Sequence, residues 1–230
     1  MTDTRFLLSL TCLLVLGACQ PEQVATAEDG LQACARIRPF NFDPDGHVDC
    51  RRPVPDASAL TAEYRFGETS SDASSVTIDL IAPDGTRRQR IAIEPAVGTG
   101  LPDFRDLDSD GRADLLIPMP AEDENTPYQV WRGTDGAQPF VLAGTLQGME
   151  VQAVGDGVFE AAELVDGDPD HTIWESGYYV FRDDQLFRVA SDHVELFADD
   201  TSTCTVRDEG GLAGLGLTPE TAQAKFCATD

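Results

Sequence analysis

The chain has 230 residues, enough for one domain with a tail, and its 41 Asp and Glu against 16 Lys and Arg leave a formal net charge of −25. That balance excludes nucleic acid as a partner, because a phosphate backbone is met by Lys and Arg. It favours divalent cations or a basic protein steered in by the field, with adaptation to a salty habitat as the other source of such a surface.

The opening stretch, MTDTRFLLSLTCLLVLGAC, places Arg5 ahead of an apolar run from 6 to 15 and ends on the small residues Gly17 and Ala18 before Cys19. The run is too short to span a bilayer and reads as an export signal over residues 1–18. Leu16, Gly17, Ala18 and Cys19 resemble a bacterial lipobox, which implies cleavage before Cys19 and lipidation of that cysteine. By the same resemblance, Gln20 in the next position implies an anchor in the outer membrane facing the periplasm. Several acyl chains on one cysteine hold firmly where a single chain is marginal. Cleavage removes Asp3 and Arg5 together, so the net charge stays at −25.

Cysteine usage agrees with export. Cys12 leaves with the signal and Cys19 takes lipid, so Cys34, Cys50, Cys204 and Cys227 remain. Four cysteines in an oxidising compartment imply two disulfides, with three pairings open. Local closure, 34 to 50 and 204 to 227, would staple one segment at each end, each contributing about 3 kcal/mol in the chain-entropy model. No pair has the close spacing of zinc sites.

Along the chain, residues 19–33 are polar and small and read as a tether. A cysteine-bounded segment follows over 34–60, including the proline-marked connector RRPVPDAS, then a β-domain over 61–200 and a disulfide-bounded C-terminal segment over 201–230. In the β-domain, Val76, Ile78 and Leu80 alternate with polar residues, Pro83, Asp84 and Gly85 turn, and Ile91 and Ile93 return. Similar hairpins turn at Thr134, Asp135 and Gly136, at Gly155, Asp156 and Gly157, and at Asp183 and Asp184. The pattern predicts an all-β fold of antiparallel hairpins in a propeller-like or sandwich-like arrangement. One short terminal helix is expected, with Thr218 as cap, Pro219 at its first position and an end near Phe226. Ile91, Trp131, Phe140, Phe159 and Trp174 are assigned to the core.

The stretch DLDSDGRADLLIP, residues 106–118, carries the chemistry. Calcium takes six to eight hard oxygen ligands at about 2.3–2.6 Å. Asp106, Asp108, Asp110 and Asp114 occupy positions one, three, five and nine of a ligating loop, Arg112 offers its carbonyl at seven, and Gly111 permits the reversal at six. An EF-hand needs Glu at position twelve, where this chain has Ile117; the loop leads into a buried strand instead of a helix. A second match, NFDPDGHVDC, sets Asn41, Asp43, Asp45, His47 and Asp49 at the same positions with Gly46 at six. A third acidic run, Asp166, Asp168 and Asp170, has His171 in place of the glycine and reads as turn acidity.

Asp-x-Asp-x-Asp-Gly-x-x-Asp-Leu followed by apolar residues resembles the calcium loops of FG-GAP and related integrin-like β-propeller blades. The second match is similar to thrombospondin type 3 calcium loops, although their cysteine follows one residue later than Cys50. The resemblance implies structural, non-catalytic Ca²⁺. Residues 103–189 are similar in order and texture to periplasmic lipoproteins with one such loop, a Tyr-x-Val-Trp strand (Tyr128 to Trp131 here) and a later Tyr-rich hairpin. Some of those proteins are lysozyme inhibitors or immunity proteins against peptidoglycan-degrading toxins. Lysozyme inhibitors share Ser-Gly-x-Tyr, matched here by Ser176, Gly177, Tyr178 and Tyr179; the resemblance implies that Ser176, Gly177 and Tyr179 bind a partner.

Catalytic signatures are thin: His47, His171 and His193 lack metal-ligand spacing, and no Gly-x-Ser-x-Gly elbow or phosphate-cradling loop occurs. Three readings stand. The first is a calcium-stabilised envelope lipoprotein that binds, and inhibits, a basic lysozyme-like peptidoglycan hydrolase. The second is a structural or adhesive calcium-binding lipoprotein. The third is a glycan-processing enzyme with paired carboxylates among Glu150, Glu160, Glu163 and Glu175.

Overall fold

Five consecutive buried residues, Asp114 to Pro118, explain why the apolar run after the acidic loop does not alternate. A strand covered on both faces has no solvent side to mark with polar residues. In the computed structural model, which describes residues 30–34, 49–70, 73–97, 101–121, 123–168 and 170–227, this strand lies in the middle of three stacked sheets. The first sheet comprises β1 (Gln32–Ala33), β2 (Cys50–Pro53), β3 (Thr61–Ser70), β4 (Ala73–Ile81) and β5 (Arg87–Val97). The second comprises β6 (Asp103–Arg105), β7 (Asp114–Pro118), β8 (Thr126–Gly133) and β9 (Phe140–Gly148). The third comprises β10 (Glu150–Gly155), β11 (Val158–Asp168), β12 (His171–Arg182), β13 (Gln185–Phe197) and β14 (Ser202–Asp208).

Strand order follows chain order in every sheet, and all pairings are antiparallel except that of β1 with β2. The fold is therefore all-β and built from hairpins, as expected. Turn chemistry places the reversals. Asp183 and Asp184 both take positive φ, 49° and 61°, between β12 and β13, the left-handed pair that suits a two-residue hairpin. Gly155, Asp156 and Gly157 do the same between β10 and β11.

The period-2 pattern divides the core. From β7, Leu115 and Ile117 pack with Phe104 and Phe140 onto Tyr64, Val76, Ile78, Leu80 and Ile91 of the first sheet. Leu116 points the other way, with Val130 and Leu146, onto Val151, Phe159 and Ala161 of the third. The far face of the third sheet is covered by a 3-10 turn, Leu212–Leu215, and by α1 (Pro219–Phe226). Of the aromatic residues assigned to the core, Phe140 and Phe159 are fully enclosed, Trp131 packs half-buried against the first cluster, and Trp174 is half-buried in β12 outside the three clusters of the described residues.

Both disulfides close locally, Cys34 to Cys50 and Cys204 to Cys227. The first ties β1 to β2; Leu31 is already buried, so the tether joins the fold two residues before position 33. The second ties β14 to α1, and β14 extends the third sheet, so the C-terminal segment belongs to the same β body. Thr218 caps α1, accepting from Thr221 N, and Pro219 occupies its first turn, as expected. The helix seats Phe226 on the ring of Tyr178, centroids 3.9 Å apart, above a buried hydrogen bond from the Tyr178 hydroxyl to Asp192 Oδ2 at 2.7 Å. Among the described residues, no helix is long and apolar enough to cross a membrane.

Replacing Cys204 and Cys227 together with Ser is expected to lower stability by about 3 kcal/mol, the entropic value for a loop of this size. Denaturant titration reads it, and an unchanged midpoint would show that helix docking alone holds this end.

Candidate metal centre

The acidic loop is the hairpin connection between β6 and β7, whose register pairs Arg105 with Asp114. Side chains alternate across it: Asp106 faces out, Leu107 is 1% exposed and plugs the core between the second and third sheets, and Asp108 turns back to the loop interior. Two positive-φ residues, Ser109 (57°) and Gly111 (88°), coil the chain around the carboxylates. Asp106 accepts from the Asp110 and Gly111 amides, each at 3.0 Å, and Asp110 accepts from the Arg112 amide at 2.9 Å.

One carboxylate oxygen from each of Asp106, Asp108 and Asp110 lies within 4.8 Å of the other two. Two ligands each about 2.4 Å from one cation stand at most about 4.8 Å apart, so the spacing suits a single calcium-sized ion. The sharper observation is Asp108. Its side chain is 10% exposed, its Oδ2 meets Arg132 Nη2 at 3.1 Å, and its Oδ1 is buried with no hydrogen-bond partner among the described residues, as is Arg132 Nε. Burial first, and the neighbouring Asp110 charge second, raise its carboxyl above the ordinary range. A buried carboxylate oxygen lacking a donor is costly unless a cation supplies the missing charge. The residues present therefore fit a hard divalent ion.

Asp114 plays a different part from the other three. It is 1% exposed and stands outside their cluster; Oδ2 accepts from Leu107 N at 3.0 Å and Oδ1 from Gly133 N at 2.9 Å. It thus closes the loop from beneath and ties it to the end of β8. Gly133 permits this approach, since a Cβ there would stand 2.4 Å from the Ala113 carbonyl oxygen. Burial outweighs the two amide donors and pushes the Asp114 carboxyl up to about 7.

Three residues that the sequence did not assign to the site complete the surroundings. Arg132 meets Asp108 and also Asp184 at 3.1 Å, with Asp110 at 3.6 Å, and lies over the Phe181 ring. Asp56 accepts from Ala113 N at 3.1 Å, bringing in the β2–β3 connection of the first sheet. Burial alone would raise Asp56, but the Ser58 and Ala113 hydrogen bonds outweigh it and hold its carboxyl low. Asp135, in the β8–β9 turn, pairs with Arg112. A lone Arg following Tyr-Gln-Val-Trp, in so acidic a chain, was the available signal for Arg132; nothing local marks Asp56.

The other expected sites fall as follows. Cys19 and Asn41, Asp43, Asp45 and His47 lie outside the described residues, and Asp49 accepts from Phe66 N at 2.8 Å. Asp166 and Asp168 accept from the amides of Asp168 and Asp170, local turn bonds at the β11–β12 reversal. Ser176, Gly177 and Tyr179 lie within β12, not at its end. Ser176 is 5% exposed beside Asp192, which accepts from its amide; a Cβ on Gly177 would meet the Tyr179 ring at 2.6 Å; Tyr179 is half-buried and stacks on Phe159. Glu163 and Glu175 stand opposite each other across β11 and β12, and burial raises the Glu163 carboxyl.

No protein-family model matches this sequence, and no curated protein matches it. Among solved structures, one described as "Structure of a Xanthomonas Type IV Secretion System related protein" is similar at a TM-score of 0.45 and 14% identity, over 74% of this chain and 94% of that one.

The raised Asp114 carboxyl gives a pH signature. The ordinary value is 3.8 and the folded value about 7, so the folded state holds a proton that the unfolded state has lost. Its stabilising contribution is full below pH 4 and lost as pH rises through 7. In chelator, the melting temperature of Asp114→Asn is expected to lie lower throughout, with an amide opposed to one backbone N–H, and to fall less than the parent's between pH 5 and 8. Parallel pH profiles would contradict this assignment.

Proposed function

We propose that this chain is a calcium-stabilised lipoprotein of the cell envelope, held by acylated Cys19, whose β body serves as a protein-binding module. One observation carries the calcium reading: Asp108, whose buried Oδ1 has no donor among the described residues, belongs to a triad of carboxylates. Asp106, Asp108 and Asp110 would hold the ion from above, and Asp114 supports the loop from below. The ion supplies positive charge and draws together three carboxylates that otherwise repel one another. Its role is structural, fixing the β6–β7 hairpin on which ends of all three sheets converge.

Binding is favoured by the charge. With a net −25, the protein attracts a basic protein at long range and disfavours polyanions, which is how electrostatics selects an encounter between macromolecules. A basic peptidoglycan hydrolase fits that description. Inhibition through Ser176, Gly177 and Tyr179 would need those groups at a surface, and the burial of Ser176 and Gly177 favours the second reading, a binding or adhesive lipoprotein without that inhibitory contact. A pull-down of basic hydrolases that depends on calcium, and survives Ser176→Ala with Tyr179→Ala, supports the binding module; loss of capture in that double variant restores the inhibitor.

Calcium at a hundredfold excess over its Kd is expected to add about 2.7 kcal/mol of stability, read as a rise in melting temperature that chelator reverses. Asp108→Asn should lose this response while being at least as stable as the parent in chelator, because it removes a charge that burial disfavours. A calcium-dependent rise that persists in Asp108→Asn would remove the ion from this loop.

A further inference from the structure

A cavity of about 400 Å³ opens beside the acidic loop, within the range of small-ligand sites. It lies between the first and second sheets: the β2–β3 connection forms one wall, the β8–β9 turn another, and residues 110–112 of the loop a third. Leu60 and Phe140 belong to the buried floor, and Asp56, Arg88, Arg112 and Asp135 carry charge around it. Asp110 belongs both to this wall and to the carboxylate triad.

From this we infer that the cavity is a binding site for an acidic saccharide, a polyhydroxylated ring bearing a carboxylate, and that calcium in the adjoining loop completes it. The inference rests on the calcium reading for its coupling, not for the existence of the cavity. Carboxylates and guanidinium groups set side by side suit vicinal hydroxyls, each of which donates to one and accepts from the other. Arg88 is exposed at the rim and, although its charge acts on Asp84, makes no ion pair or hydrogen bond among the described residues, so its fork can reach a ligand carboxylate, the bidentate pairing for which Arg is suited.

Coupling follows from shared atoms. Asp56 holds the Ala113 amide, and Arg112 pairs with Asp135, so the loop backbone is pinned to both other walls. Arg112 Nε also lies 3.9 Å from Asp110 Oδ2. An ion on Asp110 would take over the neutralisation of that carboxylate, leave Arg112 on Asp135 in the cavity wall and stiffen the loop both stand on. By linkage, the saccharide then tightens calcium binding by the same factor as calcium tightens the saccharide.

The test is calorimetry on the full chain, first with calcium alone, then with N-acetylglucosaminyl-N-acetylmuramic acid with and without calcium. A glucuronate-containing disaccharide and neutral chitobiose are run in parallel. Both acidic sugars, or one of them, are expected to bind about tenfold more tightly with calcium, a typical coupling, and chitobiose much more weakly. Which acidic sugar binds better names the source of the carboxylate. Arg88→Ala should weaken acidic-sugar binding by about tenfold or more, the loss of a charged hydrogen bond, with calcium binding and melting curve unchanged. Calcium binding with no acidic-sugar binding, or with equal binding to Arg88→Ala or to chitobiose, overturns the saccharide site and leaves the calcium reading intact. Acidic-sugar binding without any calcium binding keeps the site and removes its coupling. Binding of a short peptide with a free C-terminal carboxylate, where all sugars fail, also overturns it.

Discussion

Leu107 and Gly133 lie far apart in sequence, and the Asp114 carboxylate joins them by accepting one backbone N–H on each oxygen. Through Leu107 the bond reaches the core between the second and third sheets, and through Gly133 the end of β8. The acidic loop can coil above the core because it is hung from this point. A buried carboxylate with both oxygens filled by amides is a strong positional constraint, since neither Asn nor Glu reproduces two acceptors at that reach. It also carries a cost. Burial makes the charged form unfavourable, and like charges sit directly above it in Asp108 and Asp110.

The surrounding structure offsets that cost with cations placed by topology. Arg132 comes from β8, reaches Asp108 and Asp110, and continues to Asp184 at the tip of the third sheet. Arg112 leaves the loop in the opposite direction toward Asp135. With Asp56 bonded to Ala113, Gly133 to Asp114, and Leu107 packed with Val151 and Phe159, contacts from all three sheets converge on the nine-residue loop 106–114. Among the described residues this arrangement leaves Asp108 Oδ1 and Arg132 Nε buried without a partner, and a divalent ion at the carboxylates would act on the whole β body instead of on a local turn.

Stacking three meanders creates a middle sheet with two apolar faces and two outer sheets that each have one face to protect. The third sheet solves this with α1, whose Phe226 covers Tyr178 and the Asp192 carboxyl, raised by burial beneath it. The Cys204–Cys227 bond and the Gln223 side chain, which contacts both Val206 N and Cys204 O, hold the helix to β14. On the first sheet the outward row Glu63, Asp79 and Arg90 is polar, and Arg90 grips Asp79 with two hydrogen bonds at 2.7 and 2.6 Å, holding that carboxyl below its ordinary value. One outer face is covered by chain, the other by ion pairs.

The amino-acid sequence by itself determined the elements whose causes are local. Alternation in β4 and β5, positive-φ turn residues between β12 and β13, the Thr218 and Pro219 start of α1, and the Asp spacing with Gly111 at the reversal all depend on neighbours within a few residues. Tertiary structure alone decided matters that depend on residues distant in sequence. It set Asp114 beneath the triad and not within it, because Gly133 is 19 positions away. It chose local closure among the three disulfide pairings, brought Arg132 and Asp56 to the loop, and enclosed Ser176 and Gly177 in mid-strand. The physical reason is the same in each case: spacing along a chain prescribes dihedral angles and faces, whereas burial and charge pairing are prescribed by which faces meet.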